Sequence, residues 1–359
     1  MPKLGVLTGG GDSPGLNAVI RAIAKTAFQQ HYEVIGFLDG YSGLVEERYM
    51  ILNARAISGL LHRGGTILGT NNRDNPFHYP VEEDGKIVYR DMSDQALLTL
   101  DRLGIKALIT IGGDGTLAGA AELAAKGARI IGVPKTIDND LLATDQTFGF
   151  DTAVTTATEA LDRLHTTAES HHRVMVLELM GRYAGWIALQ SGLAGGADVI
   201  LIPEIPWRIE KVAAKILERK TQGKPFSIVV VAEGVKTPEG NHVLRDWVEG
   251  SVEKARLGGI GQVVGRLIEE HTGIETRVTI LGHIQRGGSP TPFDRVLATR
   301  FGVMAAQLAI RGIYNVVVRL QGADVSYVPL EEVVRGTRKV PPDGQLVQAA
   351  RAIGISFGD

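Results

Sequence analysis

Short runs of apolar residues alternate with longer stretches in which apolar positions recur every three or four residues, almost from end to end of the chain. The runs at residues 3–7, 33–38, 107–111, 128–133, 173–179, 198–202, 226–232, 276–281 and 315–320 read as strands. The stretches 16–30, 117–126, 152–167, 209–220, 260–271 and 292–310 read as amphipathic helices. Strands that are apolar at nearly every position, separated by helices, predict parallel sheets covered on both faces. There are too many for one compact sheet, so the expectation is an α/β chain of two domains, each a mostly parallel sheet covered by helices. The polar stretch 236–242 reads as a surface loop, and no fixed-period repeat or low-complexity segment interrupts the pattern. In open α/β sheets ligands gather beyond the carboxyl ends of the strands. The strand ends are therefore where function is to be sought.

Composition narrows the picture. The chain has 359 residues, 44% hydrophobic and 22% charged, the make-up of an ordinary globular protein. Its 45 glycines exceed the usual share, which points to tight turns or backbone in close approach to a ligand. A formal net charge of -2 argues against broad nucleic-acid binding. Any anionic ligand must meet a local cluster of arginine, lysine and backbone amides. No cysteine is present, which excludes disulfides, thiol nucleophiles and cysteine metal sites. The N-terminus lacks the apolar centre of a signal peptide, and no apolar run reaches the ~18 residues of a membrane span. A cytoplasmic enzyme without membrane or nucleic-acid partners is expected.

Three strand ends carry acids, two of them with glycine. The first strand runs into Thr8-Gly9-Gly10-Gly11-Asp12-Ser13-Pro14-Gly15 before a helix, an arrangement that lets backbone amides face an anion, although it also fits a plain tight turn. The strand at 107–111 ends in Gly112-Gly113-Asp114-Gly115-Thr116, where glycines admit phosphates and Asp114 offers a hard oxygen for Mg²⁺. The next ends in Pro134-Lys135-Thr136-Ile137-Asp138-Asn139-Asp140, which could hold both a base and a metal. Phosphoryl transfer to an alcohol needs a carboxylate within reach of that hydroxyl. Met180-Gly181-Arg182 and His283-Ile284-Gln285-Arg286-Gly287-Gly288 each place an arginine beyond a strand end, suited to gripping phosphate. Arg173 and Arg277 begin those same two strands, from which they reach phosphate from the opposite direction or from another subunit.

These segments, in this order, closely resemble the phosphofructokinase family over residues 3–308. Gly-Gly-Asp-Gly-Thr is shared with kinases of NAD or lipids, which would not explain residues 180–182 and 283–288; residues 147–151 and 170–173 add to the likeness. The resemblance implies a Rossmann-like phosphofructokinase fold. It implies a phosphoryl-donor domain of residues 1–148 and 285–335 and a sugar-phosphate domain of 149–284 and 336–359. It also implies phosphorylation of fructose 6-phosphate at its 1-hydroxyl, with Asp138, Arg182 and Arg73 catalytic and Asp138 the base. Asp114 would hold Mg²⁺, with Asp140 assisting, while Gly11, Arg73 and Gly113 to Thr116 bind the donor phosphates. Thr136, Ile137, Met180, Gly181, Arg182 and Glu233 would position the sugar, and His283 and Arg286 its 6-phosphate. Arg173 and Arg277 would be lent by a neighbouring subunit, making the active form a homo-oligomer, a dimer or tetramer.

The phosphoryl donor turns on two residues. Family members that use pyrophosphate carry an Asp after the metal-binding Asp, which blocks the α-phosphate of ATP; here the position is Gly115. They also carry a Lys before Thr-Ile-Asp, where typical bacterial ATP enzymes have Gly; here it is Lys135. A Lys adds a cation and excludes nothing, and a mixed group of the family with this pair uses ATP. ATP is therefore the expected co-substrate, pyrophosphate the alternative, and a catalytically silent regulatory subunit a remoter one. At places matching the family's basic effector site, Arg21, Lys25, Arg55 and Lys224 keep positive charge, whereas His165 and Gln222 replace cations. With the extra length at 235–259, this predicts weak or altered allosteric control.

Overall fold

The computed structural model describes residues 1–72, 74–247 and 255–359. Its larger sheet has seven strands, in the order Asp324–Pro329, Val316–Gln321, Ile130–Pro134, Ile105–Gly112, Lys3–Thr8, Glu33–Phe37, Tyr49–Ile51. The five inner strands are parallel. Both edge pairings are antiparallel, which leaves the sheet mostly parallel, as expected. A second sheet, wholly parallel, runs Thr276–Ile280, Val174–Leu179, Ser227–Ala232, Val199–Leu201.

The apolar strands are buried on both faces, as continuous hydrophobic runs require. On one face of the large sheet Val6, Ile109, Ile111, Ile131 and Val133 pack against the helices Leu16–Gln29 and Pro292–Arg311. Leu7, Leu108 and Ile130 point the other way, into a cluster with Leu117, Leu123 and Leu100 from the helices Asp114–Ala125 and Ser93–Arg102. The small sheet buries Val174, Val176, Ile228, Val230 and Ile200 beneath Leu161, Ile187, Val212 and Val264. One buried carboxylate joins the halves: Asp294, early in Pro292–Arg311, accepts hydrogen bonds from Thr152 N (2.8 Å) and Oγ1 (2.6 Å) at the start of helix Phe150–His171.

All nine expected strands and six expected helices are present, with ends displaced by a few residues at most. Residues 236–242 form a surface turn in which Thr237 N bonds to Asn241 O. Pattern reading did not give the strands Tyr79–Glu83 and Lys86–Arg90, nor the helices Ser93–Arg102, Trp186–Ala194 and Gln345–Ala352. Of the long segment 235–259, residues 248–254 lie outside the described residues.

The strand order fixes where ligands fit. In the large sheet the winding reverses between Lys3–Thr8 and Ile105–Gly112, and in the small sheet it reverses at Val174–Leu179. Such reversals leave a crevice at the carboxyl ends of the strands. The glycine-bearing loops emerge at these two places.

Candidate active site

Three neighbouring strands of the large sheet end side by side. Gly9 N donates to Ile111 O (2.9 Å) and Lys135 N to Gly112 O (2.9 Å), so the loops after all three begin in register. Helix Asp114–Ala125 opens with no side chain capping its N-terminus. The first-turn amides of a helix have no partner within it and favour an anion. The Asp114 carboxylate is 44% exposed there, and a Cβ built on Gly115 would meet nothing within 4 Å.

The following loop is built differently. Lys135, Thr136, Ile137, Asp138, Asn139 and Asp140 are all buried. Thr136 Oγ1 accepts from Asp138 N (3.0 Å), Thr147 Oγ1 donates to Thr136 O (2.7 Å), and Thr147 N donates to Asn139 Oδ1 (3.0 Å). Asn139 has φ 53°, a left-handed conformation that costs a non-glycine residue about 1 kcal/mol and persists where its surroundings impose it. The result is a carboxylate, Asp138, only 2% exposed, whose Oδ1 has no partner among the described residues. A buried acceptor left unsatisfied is costly and marks a place made for a ligand donor. The Ile137 side chain instead joins the core beneath the small sheet, leaving only its backbone at the loop.

The charges gathered here perturb one another. Burial, then the nearby Asp138 and Asp114, push the Asp140 carboxyl well up. Burial and the Arg286 guanidinium bring the Lys135 amine down to about 7, against the pull of Asp12, Asp138 and Asp114. Lys135 Nζ donates to the carbonyl of Gly11, stitching the acceptor loop to the first glycine loop.

The small sheet supplies the opposite wall. Gly181 has φ 142°, and a Cβ on it would lie 2.6 Å from Ala184 O, so the turn after Leu179 closes only around glycine. That turn presents Arg182, whose N donates to Glu233 Oε1 (3.1 Å) and whose Nη1 reaches both oxygens of Asp114 (3.1 and 3.2 Å). Burial, reinforced by Asp138, raises the Glu233 carboxyl to about 7. Gln285, fully buried, accepts from Met180 N (2.9 Å). Arg286 Nη1 donates to Asp12 O (3.1 Å) and lies 2.7 Å from where a Gly11 Cβ would be. His283 sits exposed on the 3-10 turn Gly282–Arg286.

The structure thus brings together, through two sheets, Gly11, Gly113 to Thr116, Lys135, Thr136, Asp138, Met180, Gly181, Arg182, Glu233 and Arg286. It does not bring Arg173 or Arg277 to them. Both stand at the amino ends of their strands and pair with the same carboxylate, Glu275: Arg173 Nε at 2.6 Å and Arg277 through Nη2. A six-residue strand spans ~20 Å, which separates them from the turn of Arg182. Arg73 lies outside the described residues. Residues assigned no role from the sequence also shape the site: Gln285 and Asp12, and Trp186 and Arg338, which brace the loops from behind. Away from the site, Arg21 and Lys25 line a pocket of about 570 Å³ with Gln29, Ser58 and Gly59. His165 Nε2 is engaged with Gly195 O (2.6 Å), and Gln222 Nε2 donates to Glu218 Oε1 (3.1 Å).

A family model described as Phosphofructokinase matches residues 3–309. The ATP-dependent 6-phosphofructokinase 2 of Clostridium perfringens is 54% identical over 363 aligned positions, covering 99% of this chain and 98% of that protein. The ATP-dependent 6-phosphofructokinase of Chloroflexus aurantiacus is 53% identical, with 99% and 98% covered. Among solved structures, Pichia pastoris phosphofructokinase in the T-state superposes with a TM-score of 0.80 at 31% identity, covering 100% of this chain and 37% of that longer one.

Proposed function

The chain belongs to the phosphofructokinase family, and on that premise we infer that it phosphorylates fructose 6-phosphate at its 1-hydroxyl with ATP, giving fructose 1,6-bisphosphate and ADP. The observation that carries the assignment of the base is the unpartnered, buried Oδ1 of Asp138, between an uncapped helix N-terminus and the turn of Arg182. Asp138 takes the hydroxyl proton as the new O–P bond forms and the bond to the leaving diphosphate breaks. Arg182 neutralises charge gathering on the transferring group, a task in which Arg73 joins it. Gly11 and the amides from Gly113 to Thr116 receive the donor phosphates. Thr136, Met180, Gly181 and Glu233 orient the sugar; His283 and Arg286 take its 6-phosphate. We assign residues 1–148 and 285–335 to the donor half and 149–284 and 336–359 to the sugar-phosphate half.

The donor set suits Mg²⁺. Among the described residues no group of three or more His, Cys, Asp or Glu could cage a metal ion. Mg²⁺ prefers one or two carboxylates completed by substrate phosphates, and Asp114, half exposed at the phosphate-binding helix, is such a ligand, with Asp140 beside it. When bound, the metal draws charge from the donor phosphates. The present partner of Asp114 is Arg182, so one cation balances that carboxylate before substrate arrives.

Open space at Gly115 supports ATP as donor, and two near-full-length relatives are ATP-dependent. Lys135 keeps pyrophosphate as the second reading. Its amine is occupied by the Gly11 carbonyl and lies next to the donor loop, where it can serve either donor. Arg173 and Arg277, held by Glu275 far from their own chain's site, are offered to a neighbouring subunit in a homo-oligomer. No helix among the described residues is long and apolar enough to cross a membrane. His165 and Gln222, which stand where the family's effector site carries cations, are engaged with Gly195 and Glu218, in keeping with weak effector control.

One assay tests the core of this reading. Fructose 6-phosphate turnover is measured with ATP and with pyrophosphate, for the wild type and Asp138→Asn. Turnover with ATP should exceed that with pyrophosphate, and Asp138→Asn should lower kcat by ~10²–10⁴ while sugar-phosphate binding persists. Undiminished turnover in Asp138→Asn removes the base assignment; preference for pyrophosphate reverses the donor.

A further inference from the structure

We propose that Arg338 is a positioning residue for phosphoryl transfer, holding the loop of Asp138 in register with the turn of Arg182. The inference rests on Asp138 being the base. Arg338 lies beyond residues 3–309, in a tail segment with no helix or strand of its own, so neither motif nor pattern points to it.

The tail crosses behind both loops and grips each. Toward the acceptor loop, Thr337 pairs with Leu141 in an antiparallel bridge, and Arg338 N donates to Asp140 O (2.7 Å). The guanidinium spans the rest of the turn: Nη1 donates to Asp145 O (2.8 Å) and makes a longer contact to Asn139 O (3.4 Å). The carbonyls of three loop residues thus answer to one arginine. Toward the Arg182 turn, the guanidinium stacks 4.3 Å from the centre of the Trp186 ring, and Trp186 Nε1 donates back to Arg338 O (3.1 Å). Two residues on, Val340 N donates to Glu204 Oε1 (3.0 Å), the same carboxylate that accepts from Gly185 N (3.0 and 3.2 Å). Gly185 and Trp186 follow directly on Arg182-Tyr183-Ala184.

The need for such a brace is local. Asn139 is in a left-handed conformation next to the base. Were the 139–140 peptides to relax toward ordinary angles, the Asp138 carboxylate would swing with them. Thr147 fixes the Asn139 side chain, while Arg338 takes hold of the Asn139, Asp140 and Asp145 carbonyls and joins the turn to the opposite wall. Misplacement of a reacting group by about 1 Å costs on the order of 10² in rate.

Steady-state kinetics and thermal melts of Arg338→Ala, Arg338→Lys, Asp138→Asn and the double variant Asp138→Asn/Arg338→Ala test this. Arg338→Ala should lower kcat about 10- to 100-fold while the KM for fructose 6-phosphate moves less than about threefold. Arg338→Lys keeps the cation on Trp186 but loses the planar fork, and should fall between it and the wild type. In the Asp138→Asn background, Arg338→Ala should change the residual kcat by less than about threefold, because residues acting through one group are not additive. A purely structural role would impose its full penalty again in the double variant, and that result overturns the proposal. So does a kcat within about twofold of the wild type for Arg338→Ala or, should that protein melt below the assay temperature, for Arg338→Lys. If Asp138→Asn itself turns over normally, the base assignment falls first, and the two failures are told apart in one experiment.

Discussion

The loops that follow the adjacent strands Ile105–Gly112 and Ile130–Pro134 leave the same sheet edge and are built on opposite plans. The loop at Gly113 to Thr116 is open: its helix is uncapped, Asp114 is partly exposed beside Arg182, and no described residue fills the space beside Gly115. The loop at Thr136 to Asp140 is closed, buried throughout, bent through a left-handed asparagine and braced by Thr147 and the tail. In the proposed reaction, one admits a large, charged, exchangeable substrate whose phosphates bring their own geometry. The other must hold a single carboxylate at one position, and the surrounding bonds supply the rigidity. Admission needs absence of side chain; positioning needs constraint from many sides.

The largest expected effect comes from filling the open loop. Gly115→Asp would set a carboxylate against the incoming phosphates; two unit charges about 4 Å apart repel by about 4 kcal/mol at an effective dielectric of about 20, so kcat/KM for ATP should fall about a thousandfold. Parallel assays with ATP and pyrophosphate read this out, and retained ATP use would mean the gap is not where the nucleotide lies.

Loosening the closed loop should do less. Asn139→Ala keeps the left-handed strain and removes the Thr147 contact, so a loss of about 1–2 kcal/mol in unfolding free energy is expected, together with a lower kcat. Equal stability and turnover would show that the bend is not imposed by its neighbours.

Glu233, at the edge of the closed region, gives a pH signature. Its carboxyl is raised from 4.5 to about 7, chiefly by burial, so the protonated form is the one the fold favours. The contribution is complete below the unfolded value and fades as pH climbs through about 7. Relative to Glu233→Gln, the wild type should therefore melt at progressively lower temperature from about pH 5 to about pH 8, as followed by calorimetry. A constant difference across that window would show the carboxyl to be unperturbed. The smallest effect sharpens the contrast from the other side: Gly115→Ala, whose added methyl meets nothing, should leave kcat/KM for ATP within about threefold.

Much of this contrast was legible in the sequence. Apolar strands such as Ile130–Pro134 and helices such as Leu16–Gln29 declare themselves, because burial on two faces or one stripe leaves a periodic record. Gly115 and the acids at 114, 138 and 140 could be read from residue type at a strand end. The hairpin of Tyr79–Glu83 and Lys86–Arg90 was harder, since its exposed strands carry little apolar alternation; only Asp84-Gly85, both at positive φ, signals the turn. The pairing of Arg182 with Asp114 joins residues 68 positions apart and depends on how two sheets face each other. Arg338 left no trace, because what it recognises is backbone carbonyl, which every residue has.

The order of strands also sets an order of synthesis. All four strands of the small sheet have been made by Ile280, whereas the large sheet waits for Val316–Gln321 to pair with Ile130–Pro134 and for Pro292–Arg311 to cover Leu16–Gln29. At about 5–20 residues per second, the first-made strands stand uncovered on the ribosome for ten seconds or more. The strands of the small sheet are made earlier, yet Val199 still waits to bridge to Ser356, and Val347, Ala350 and Phe357 complete its core, so neither half closes until the C-terminal residues have emerged.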